Sequence, residues 1–468
     1  MDKSHYSFGI FFLVLILACG IFQSILHLQL DNQMFIQQSF TNWFLVSNII
    51  GLVGSFFILK YYHYKKFDFT FKTGIVVTFL SVCQFIVLYT ILVSRKLQDF
   101  YLPIAFLVLA AGIVYSISLI FSEAGKRPWL KASGVSLLII SLVIAAAAIG
   151  GMISQNVETK ISLQKTVQWA SLAYALGPIF FIMNFRSELR MSASIGELPK
   201  MPKQQETIFS LVGLTGILFI LFFGVMLMNQ SNSFLSWRKQ NSDFAKDVLA
   251  KQFEARTFVN VKGESIRYQF MKPENYDPQK KYPLVLCLHH GGTHGTDNIS
   301  QLGADPAPFL SSNRNKYLAF YLMPQCPQGL GWVNIDASIL GMMKALEDEF
   351  EIDETRRYVM GISGGGYGSW HFISAHPEMF AAAIPICGGG DPTLASKIIN
   401  VPVWAFHGEN DDLVPVRFSQ EMIDGIKKAG GNPQYTEFPN AGHNIWGQVA
   451  ATPGLMEWLF AQKRDSLR

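Results

Sequence analysis

The first 230 residues of this chain are dominated by long runs without charge, and these constrain the fold more than any other feature. The run "FGIFFLVLILACGIFQSILHL" (residues 8–28) is an example. A helix of about 20 apolar residues is what a bilayer's hydrocarbon core requires. Seven stretches meet that length: 8–28, 43–59, 74–94, 102–122, 133–153, 167–185 and 208–228. The first has too long an apolar core for a signal peptide, lacks a small-residue cleavage site, and is followed by six more. The sixth carries Gly177-Pro178, where a kink is expected and neighbouring helices must satisfy the freed backbone. An all-α seven-helix transmembrane domain over 1–230 follows, with the lipid bilayer as its partner.

Charge supports the division. Only 15% of the 468 residues are charged, against roughly 25% in an ordinary soluble domain. The deficit falls on residues 1–230. The net charge of +4 gives no reason to invoke nucleic acid.

Short cytoplasmic loops collect lysine and arginine. With the N-terminus inside, the inner segments hold 12 basic residues: Lys3, Lys60, Lys65, Lys66, Lys72, Lys126, Arg127, Lys131, Arg186, Arg190, Lys200 and Lys203. The outer loops hold four: Arg95, Lys96, Lys160 and Lys165. Seven spans then place the C-terminal half outside the cytoplasm, in the plasma or inner membrane. His27 is the one ionisable residue inside these spans and reads as an interfacial or packing histidine. Gly51-x-x-Gly54 and "AAAAIGG" (145–151) suit close helix packing. Residues 231–256 are expected to form an amphipathic linker helix, on the membrane or on the following domain, from the spacing of Phe244, Val248, Leu249 and Phe253.

Beyond residue 257 short apolar runs alternate with amphipathic stretches. "TFVNV" and "IRYQFM" read as an antiparallel pair turning at Lys262-Gly263-Glu264. Six more strands are expected in "PLVLCLH", "YLAFYLM", "RYVMGI", "FAAAIPI", "VPVWAFH" and "PQYTEF". Solidly apolar strands alternating with helices indicate a mostly parallel eight-stranded sheet covered on both faces. About 210 residues are enough to bury a full core.

Into this pattern falls "RRYVMGISGGGYGSW" (356–370). Gly361-x-Ser363-x-Gly365 sits between a strand and a helix, the context that turns G-x-S-x-G into a nucleophile elbow. A phosphate loop would carry lysine, and none is there. A serine nucleophile needs a base, and the base an orienting carboxylate. "WAFHGENDDLVP" offers Asp411, Asp412 and, more weakly, Glu409; "FPNAGHNIW" offers His443. Oxyanion donors are expected from the N–H of Gly364 and from His290 or Gly291 in "LHHGGTHGTDN". His289, His290 and His294 lack the carboxylate cluster of a metal site, and the five cysteines make no C-x-x-C pair, so neither metal nor cofactor is expected.

Residues 257–468 resemble the α/β-hydrolase superfamily, in particular its serine carboxylesterase and predicted-peptidase branch. His407, Gly408, Asp411, Val414 and Pro415 match the family's H-G-x-x-D-x-x-V-P, which selects Asp411 over Asp412. "GISGGGYGSW…HPEMFAAAIPICGGGD" resembles the elbow and its helix, and "MPQCP…GW" another stretch of the branch, from which Gln325 and Trp332 are expected to bind substrate. Two departures stand out: Gly364 where methionine is frequent, and His289-His290 where His-Gly is usual. The resemblance implies a Ser363–Asp411–His443 acyl-enzyme mechanism on carboxylic esters. A short connection after the sixth strand, 387–400, implies an open site, suited to an ester on a glycan or peptide. A prolyl-oligopeptidase-like peptidase and a ligand sensor coupled to the helices are the alternatives; the oligomeric state is left open. Cys326 and Cys387, both just past strand ends on the site's side, are candidates for a disulfide.

Overall fold

The computed structural model describes all residues except 31–33, 36–37, 95–96, 155–156, 194–199, 262, 304–305 and 465–468. Arg95 and Lys96 of the expected outer loops, and Lys262 of the expected turn, thus lie outside the described residues. The chain divides into two compact units, one of Met1–Gln155 with Ser162–Ser233, the other of Asn156–Ile161 with Phe234–Arg468.

The helical region contains α1 (Lys3–Leu30), α2 (Gln38–Tyr64), α3 (Asp68–Ser94), α4 (Gln98–Phe121), α5 (Pro128–Ile153), α6 (Val157–Ala175), α7 (Pro178–Ala193) and α8 (Lys203–Phe244). Among the described residues seven helical segments are long and apolar enough to cross a membrane, with α6 and α7 together forming the sixth. The break between α6 and α7 falls at Leu176-Gly177, just before Pro178, because proline cannot donate to the preceding turn. Small residues let helices touch: a Cβ at Gly134 of α5 would lie 2.8 Å from Ser116 O of α4. An aromatic core of Tyr6, Phe12, Phe57, Tyr61, Tyr62 and Phe185 joins α1, α2 and α7. His27 packs its ring against Phe35, 5.7 Å between centroids.

Two expectations are corrected here. The linker is no separate helix, because α8 runs without a break to Phe244 and ends in a π-type turn, Ala245–Leu249. Of its expected apolar face, Leu249 and Phe253 are buried in the core of the second unit and Val248 is exposed. In addition, the sixth span holds an ionisable group: Glu188 of α7, outside the expected span, is buried between Lys65 and Arg127.

The second unit is built on one eight-stranded sheet: β1 (Glu254–Val259), β2 (Ser265–Met271), β3 (Tyr282–Leu288), β4 (Phe320–Pro324), β5 (Ile352–Ile362), β6 (Ala382–Ile386), β7 (Trp404–Gly408) and β8 (Gln434–Phe438). The order is β1-β2-β4-β3-β5-β6-β7-β8. β2 is antiparallel to β1 and to β4, and the remaining pairs are parallel. Side chains alternate between two cores. Along β3, Leu284, Leu286 and Leu288 enter one, with helices α10 (Asp336–Glu349), α11 (Gly364–Ala375) and α12 (Arg417–Lys428) packed on it. Val285 and Cys287 enter the other, with α9 (Ala307–Ser312), α13 (Trp446–Ala450) and α14 (Leu455–Ala461). Each fully buried aliphatic side chain contributes about 1.5–3 kcal/mol. β3 has its two neighbours, β4 and β5, on opposite sides, so the loops leaving their carboxyl ends diverge and open a crevice there.

The cysteines are free, which corrects the disulfide expectation. β4 and β6 are separated by β3 and β5, so the strand ends carrying Cys326 and Cys387 are about 14 Å apart laterally at ~4.8 Å per strand. A disulfide needs Cα atoms within about 7 Å. The two thiols also belong to opposite faces of the sheet.

Candidate active site

The carboxyl ends of β5, β7 and β8 carry the three residues expected to act together. β5 delivers five buried residues, Tyr358–Ile362, and the chain then reverses into α11. Ser363 at the junction has φ 57° and ψ −115°, a region that costs a side-chain-bearing residue about 1–3 kcal/mol. Its backbone is held from both sides. The N–H donates to Ile386 O at 2.8 Å and the carbonyl accepts from Tyr367 N at 3.0 Å. A Cβ at Gly361 would overlap Gly365 O, and one at Gly365 would overlap Leu288 O, so strand and helix can approach only with glycine at both places.

Asp411 leaves β7 and is buried. Its Oδ2 accepts from His443 Nδ1 at 2.7 Å, while Oδ1 accepts from the N–H groups of Leu413 (3.0 Å) and Val414 (2.8 Å). Asp412 is exposed, and Glu409 accepts from Asn440 N instead. The two loops are laced together: Glu409 N donates to Phe438 O and Asn410 N to Ala441 O. His443 and Ser363 are half-buried and open to solvent on the same sheet edge. Ser363 Oγ has no hydrogen-bond partner among the described residues.

Residues 330–448 match the Dienelactone hydrolase family. The C-terminal part of the chain carries a dienelactone hydrolase family domain. The superfamily is the α/β-hydrolases, as the sheet order is consistent with. The "probable feruloyl esterase C" of Aspergillus niger is 26% identical over 186 residues, 38% of this chain and 67% of that protein. An uncharacterized peptidase of Bacillus subtilis is 22% identical over 252 residues, 44% of this chain and 37% of the peptidase. A crystal structure of a thermostable esterase is 36% identical with a TM-score of 0.44, covering 46% of this chain and 64% of that one. The chain therefore spans only part of the relatives it matches.

Within the dienelactone hydrolase domain, burial alone would raise the Asp411 pKa. Hydrogen bonds from His407 and His443 outweigh it and hold the carboxyl below the ordinary range, so Asp411 stays ionised. His407 was quoted in the motif without a role. It is fully buried at the end of β7, with Nε2 2.8 Å from Val414 O and 3.2 Å from Asp411 Oδ2, and Nδ1 2.7 Å from Ser419 Oγ. Cys387, expected in a disulfide, has a different place in the site. It has φ 47°, and its Sγ donates to the carbonyl of His443 at 3.5 Å, tying the β6 end to the histidine loop. Burial raises its pKa, so the thiol stays protonated.

The glycine after the serine meets the β3 loop. A Cβ on Gly364 would lie 3.2 Å from Gly291 N, which brings the expected oxyanion segments side by side. His290 points its Nδ1 at Gly292 N–H (3.0 Å), so that nitrogen is an acceptor; burial, with His294 and His443 nearby, pulls its pKa down to about 4. His289 explains the departure from His-Gly. Its Nε2 accepts from Cys326 N at 2.9 Å, which leaves Nδ1–H to donate to His290 O at 2.8 Å. It is a neutral strut between β3 and β4, burial pushing its pKa well down.

Gln325 and Trp332 lie away from any open surface. Gln325 accepts from Asn298 N (2.6 Å) and donates to Asp297 Oδ1 (2.8 Å), bracing the loop after β3. Trp332 is buried against His289, ring centroids 4.9 Å apart, and against Gly368 of α11.

Proposed function

We propose that the C-terminal unit is a membrane-anchored serine hydrolase that cleaves carboxylic esters. The observation that carries this is the 2.7 Å Asp411–His443 pair on the sheet edge where Ser363 occupies its strained turn. In this reading His443 Nε2 takes the proton from Ser363 Oγ as the oxygen attacks the ester carbonyl. The N–H groups of Gly364 and of Gly291 or His290 bind the oxyanion. His443 then protonates the leaving alkoxide, and a water deacylates Ser363 by the same route in reverse. Asp411 keeps the His443 tautomer with Nδ1–H and stabilises the imidazolium without itself taking the proton. The gap between Ser363 and His443 closes when substrate arrives, as catalytic hydrogen bonds commonly tighten only in the complex.

The connection 387–400 is short and folds as a 3₁₀ stretch, Pro392–Ile398, rather than a lid. That favours a bulky acceptor, and the feruloyl esterases among its relatives support an aromatic acyl ester on a glycan. The basic-residue asymmetry supports an extracytoplasmic site. The peptidase relative supports the second reading, a serine peptidase.

Fluorophosphonate labelling of the full chain in detergent tests the nucleophile, and a parallel screen of feruloyl and acetyl sugar esters against peptide amides separates the readings. Labelling lost in Ser363→Ala, with ester turnover far above amide turnover, is the expected result. Labelling that survives Ser363→Ala overturns the assignment. Reporter fusions after residue 200 and at the C-terminus test the side: silence at the first and extracytoplasmic activity at the second are expected.

A further inference from the structure

The helical region forms a half-open cavity of about 300 Å³ among α1 to α7, within the roughly 300–1,000 Å³ range of small-molecule sites. Its body is apolar, with Leu13, Ile16, Leu52, Val77 and Phe181 in the wall. α2 and α3 run antiparallel along it. Gly74 faces Leu59, since an added Cβ would lie 2.9 Å from Leu59 Cδ2, and Phe44 faces Phe85 with ring centroids 5.6 Å apart. Ser55 and Thr78, four residues before Leu59 and four after Gly74, therefore sit at one depth. Tyr115 of α4 lies one turn away, its Cε2 3.5 Å from the added Cβ at Gly74.

The hydrogens of this polar end are already allotted. Ser55 Oγ–H donates to Gly51 O at 3.0 Å and Thr78 Oγ1–H to Gly74 O at 2.8 Å. Both hydroxyls are left with lone pairs only. Tyr62 and Tyr115 share one hydrogen bond of 2.8 Å. Tyr62 is fully buried with no other partner among the described residues, so its hydrogen must lie in that bond. Tyr115 then accepts from Tyr62 and has its own O–H left to give. The cavity thus offers acceptors and a donor beside an apolar wall, with Asn48, Ser81 and Tyr174 as its other polar lining residues. An alkane would satisfy none of them. An ionised carboxylate would meet two acceptors and no cation within the lining residues. A hydroxyl both donates and accepts.

We infer that this cavity binds a lipid alcohol, a long apolar chain whose terminal hydroxyl is held by Ser55, Thr78 and Tyr115. The full chain in detergent, photolabelled with a hexadecanol analogue carrying a chain diazirine and an alkyne, tests it. Cross-links should fall on peptides from α2 and α3 and be displaced by hexadecan-1-ol at roughly tenfold lower concentration than by hexadecane or by palmitate at pH 8, the worth of one or two net hydrogen bonds. Gly51 lines the cavity, and a Cβ there meets nothing within 4 Å. Gly51→Leu should fill the space and cut labelling about tenfold while favouring the helix. The double variant Ser55→Ala with Thr78→Val should keep labelling but erase the preference for alcohol over alkane. Equal displacement by hexadecane, or labelling unchanged in Gly51→Leu, overturns the inference and leaves general lipid contact only. If Gly51→Leu does not fold, the alcohol preference of the double variant decides.

Discussion

The two halves of this molecule expose opposite things. Among the described residues, 43 of the large apolar side chains that are exposed lie before residue 230 and seven after it. Those seven, such as Val333 and Ile399, are scattered, as is normal for a water-facing surface. The 43 cover whole helix faces: Phe79 is 64% exposed, Ile153 75% and Phe121 81%. Such a surface is unfavourable in water and ordinary in lipid. Polar groups are handled differently as well. In the helical half a recurrent arrangement folds the hydroxyl back on the carbonyl four residues before, as Ser55, Thr78, Thr90 and Ser116 do. In the sheet half, polar side chains converge from different elements on the carboxyl edge. One arrangement keeps helices intact in an apolar solvent; the other brings titratable groups into register for chemistry.

The sharpest way to break this comparison is to remove the convergence at the sheet edge. Ser363→Ala should lower ester turnover by on the order of 10⁴–10⁶. Asp411→Asn should lower it by about 10⁴, because His443 would then hold the wrong tautomer. Asp412→Asn, on the exposed neighbour, should change kcat/KM less than about twofold. Steady-state kinetics on one activated ester compares all three, and equal effects at the two aspartates would refute the role given to Asp411. Thermal unfolding should be nearly unchanged in Ser363→Ala, since replacing the hydroxyl removes no hydrogen bond made among the described residues.

The helical half has its own convergence, and it is structural. Glu188 of α7 accepts from Tyr61 Oη at 3.0 Å and pairs with Lys65 Nζ at 2.7 Å and Arg127 Nε at 3.1 Å. One buried carboxylate thereby fastens the end of α2 and the start of α5 to α7. Removing one partner from a buried ion pair costs about 3–5 kcal/mol. Glu188→Gln should sit at the lower end, because Lys65 and Arg127 keep part of their hydration. Thermal unfolding in detergent should fall markedly while turnover per folded molecule stays constant. A loss of kcat with unchanged stability would show instead that the helical half acts on the hydrolase site.

Legibility in the sequence followed the same divide. The central parallel strands could be read because strands buried on both faces are uninterrupted apolar runs, as in "PLVLCLH". The elbow was readable because Gly361, Ser363 and Gly365 serve a local steric need. Lateral relations were not readable. Nothing in the sequence says that β3 and β5 separate β4 from β6, and so a bridge between Cys326 and Cys387 looked feasible. Glu188 meets Lys65 and Arg127 from far along the chain, and no local pattern marks that. The continuation of α8 beyond the seventh span was unreadable for another reason. The polar stretch after Met228 still suits a helix, so α8 leaves the apolar zone without any stop signal. Gln325 and Trp332 were placed by analogy to a motif whose polar atoms turn inward in this fold.

A smaller effect is expected at the residue behind the proposed acid. His407 donates toward Asp411 Oδ2 at 3.2 Å and Val414 O at 2.8 Å, holding the acid loop over β7. His407→Gln should lower kcat by about 10- to 100-fold, the worth of a hydrogen bond to a charged group. KM should hardly move. A purely structural role would lower stability and leave kcat per folded molecule unchanged.

The smallest effect is on stability against pH, and it concerns the histidines of the loop after β3. Burial holds His290 at about 4, below the ordinary 6.5, and pulls His289 well down too. A histidine depressed in the fold binds its proton first in the unfolded chain. Its contribution is therefore complete above about pH 6.5 and is lost as pH falls toward 4, at up to ~1.4 kcal/mol per pH unit for each ring. Asp411 is depressed too, but its contribution disappears only below the ordinary carboxylate range near pH 4, so the two windows separate. Unfolding of the full chain in detergent, followed by intrinsic fluorescence between pH 7 and 4, should show the sheet half losing stability through this interval. His290→Asn should reduce the slope by about half, because one of the two protons is gone. A flat profile from pH 6.5 to 4 would mean that both rings accept protons in the folded state, and that the tautomers assigned from Gly292 N and Cys326 N are wrong.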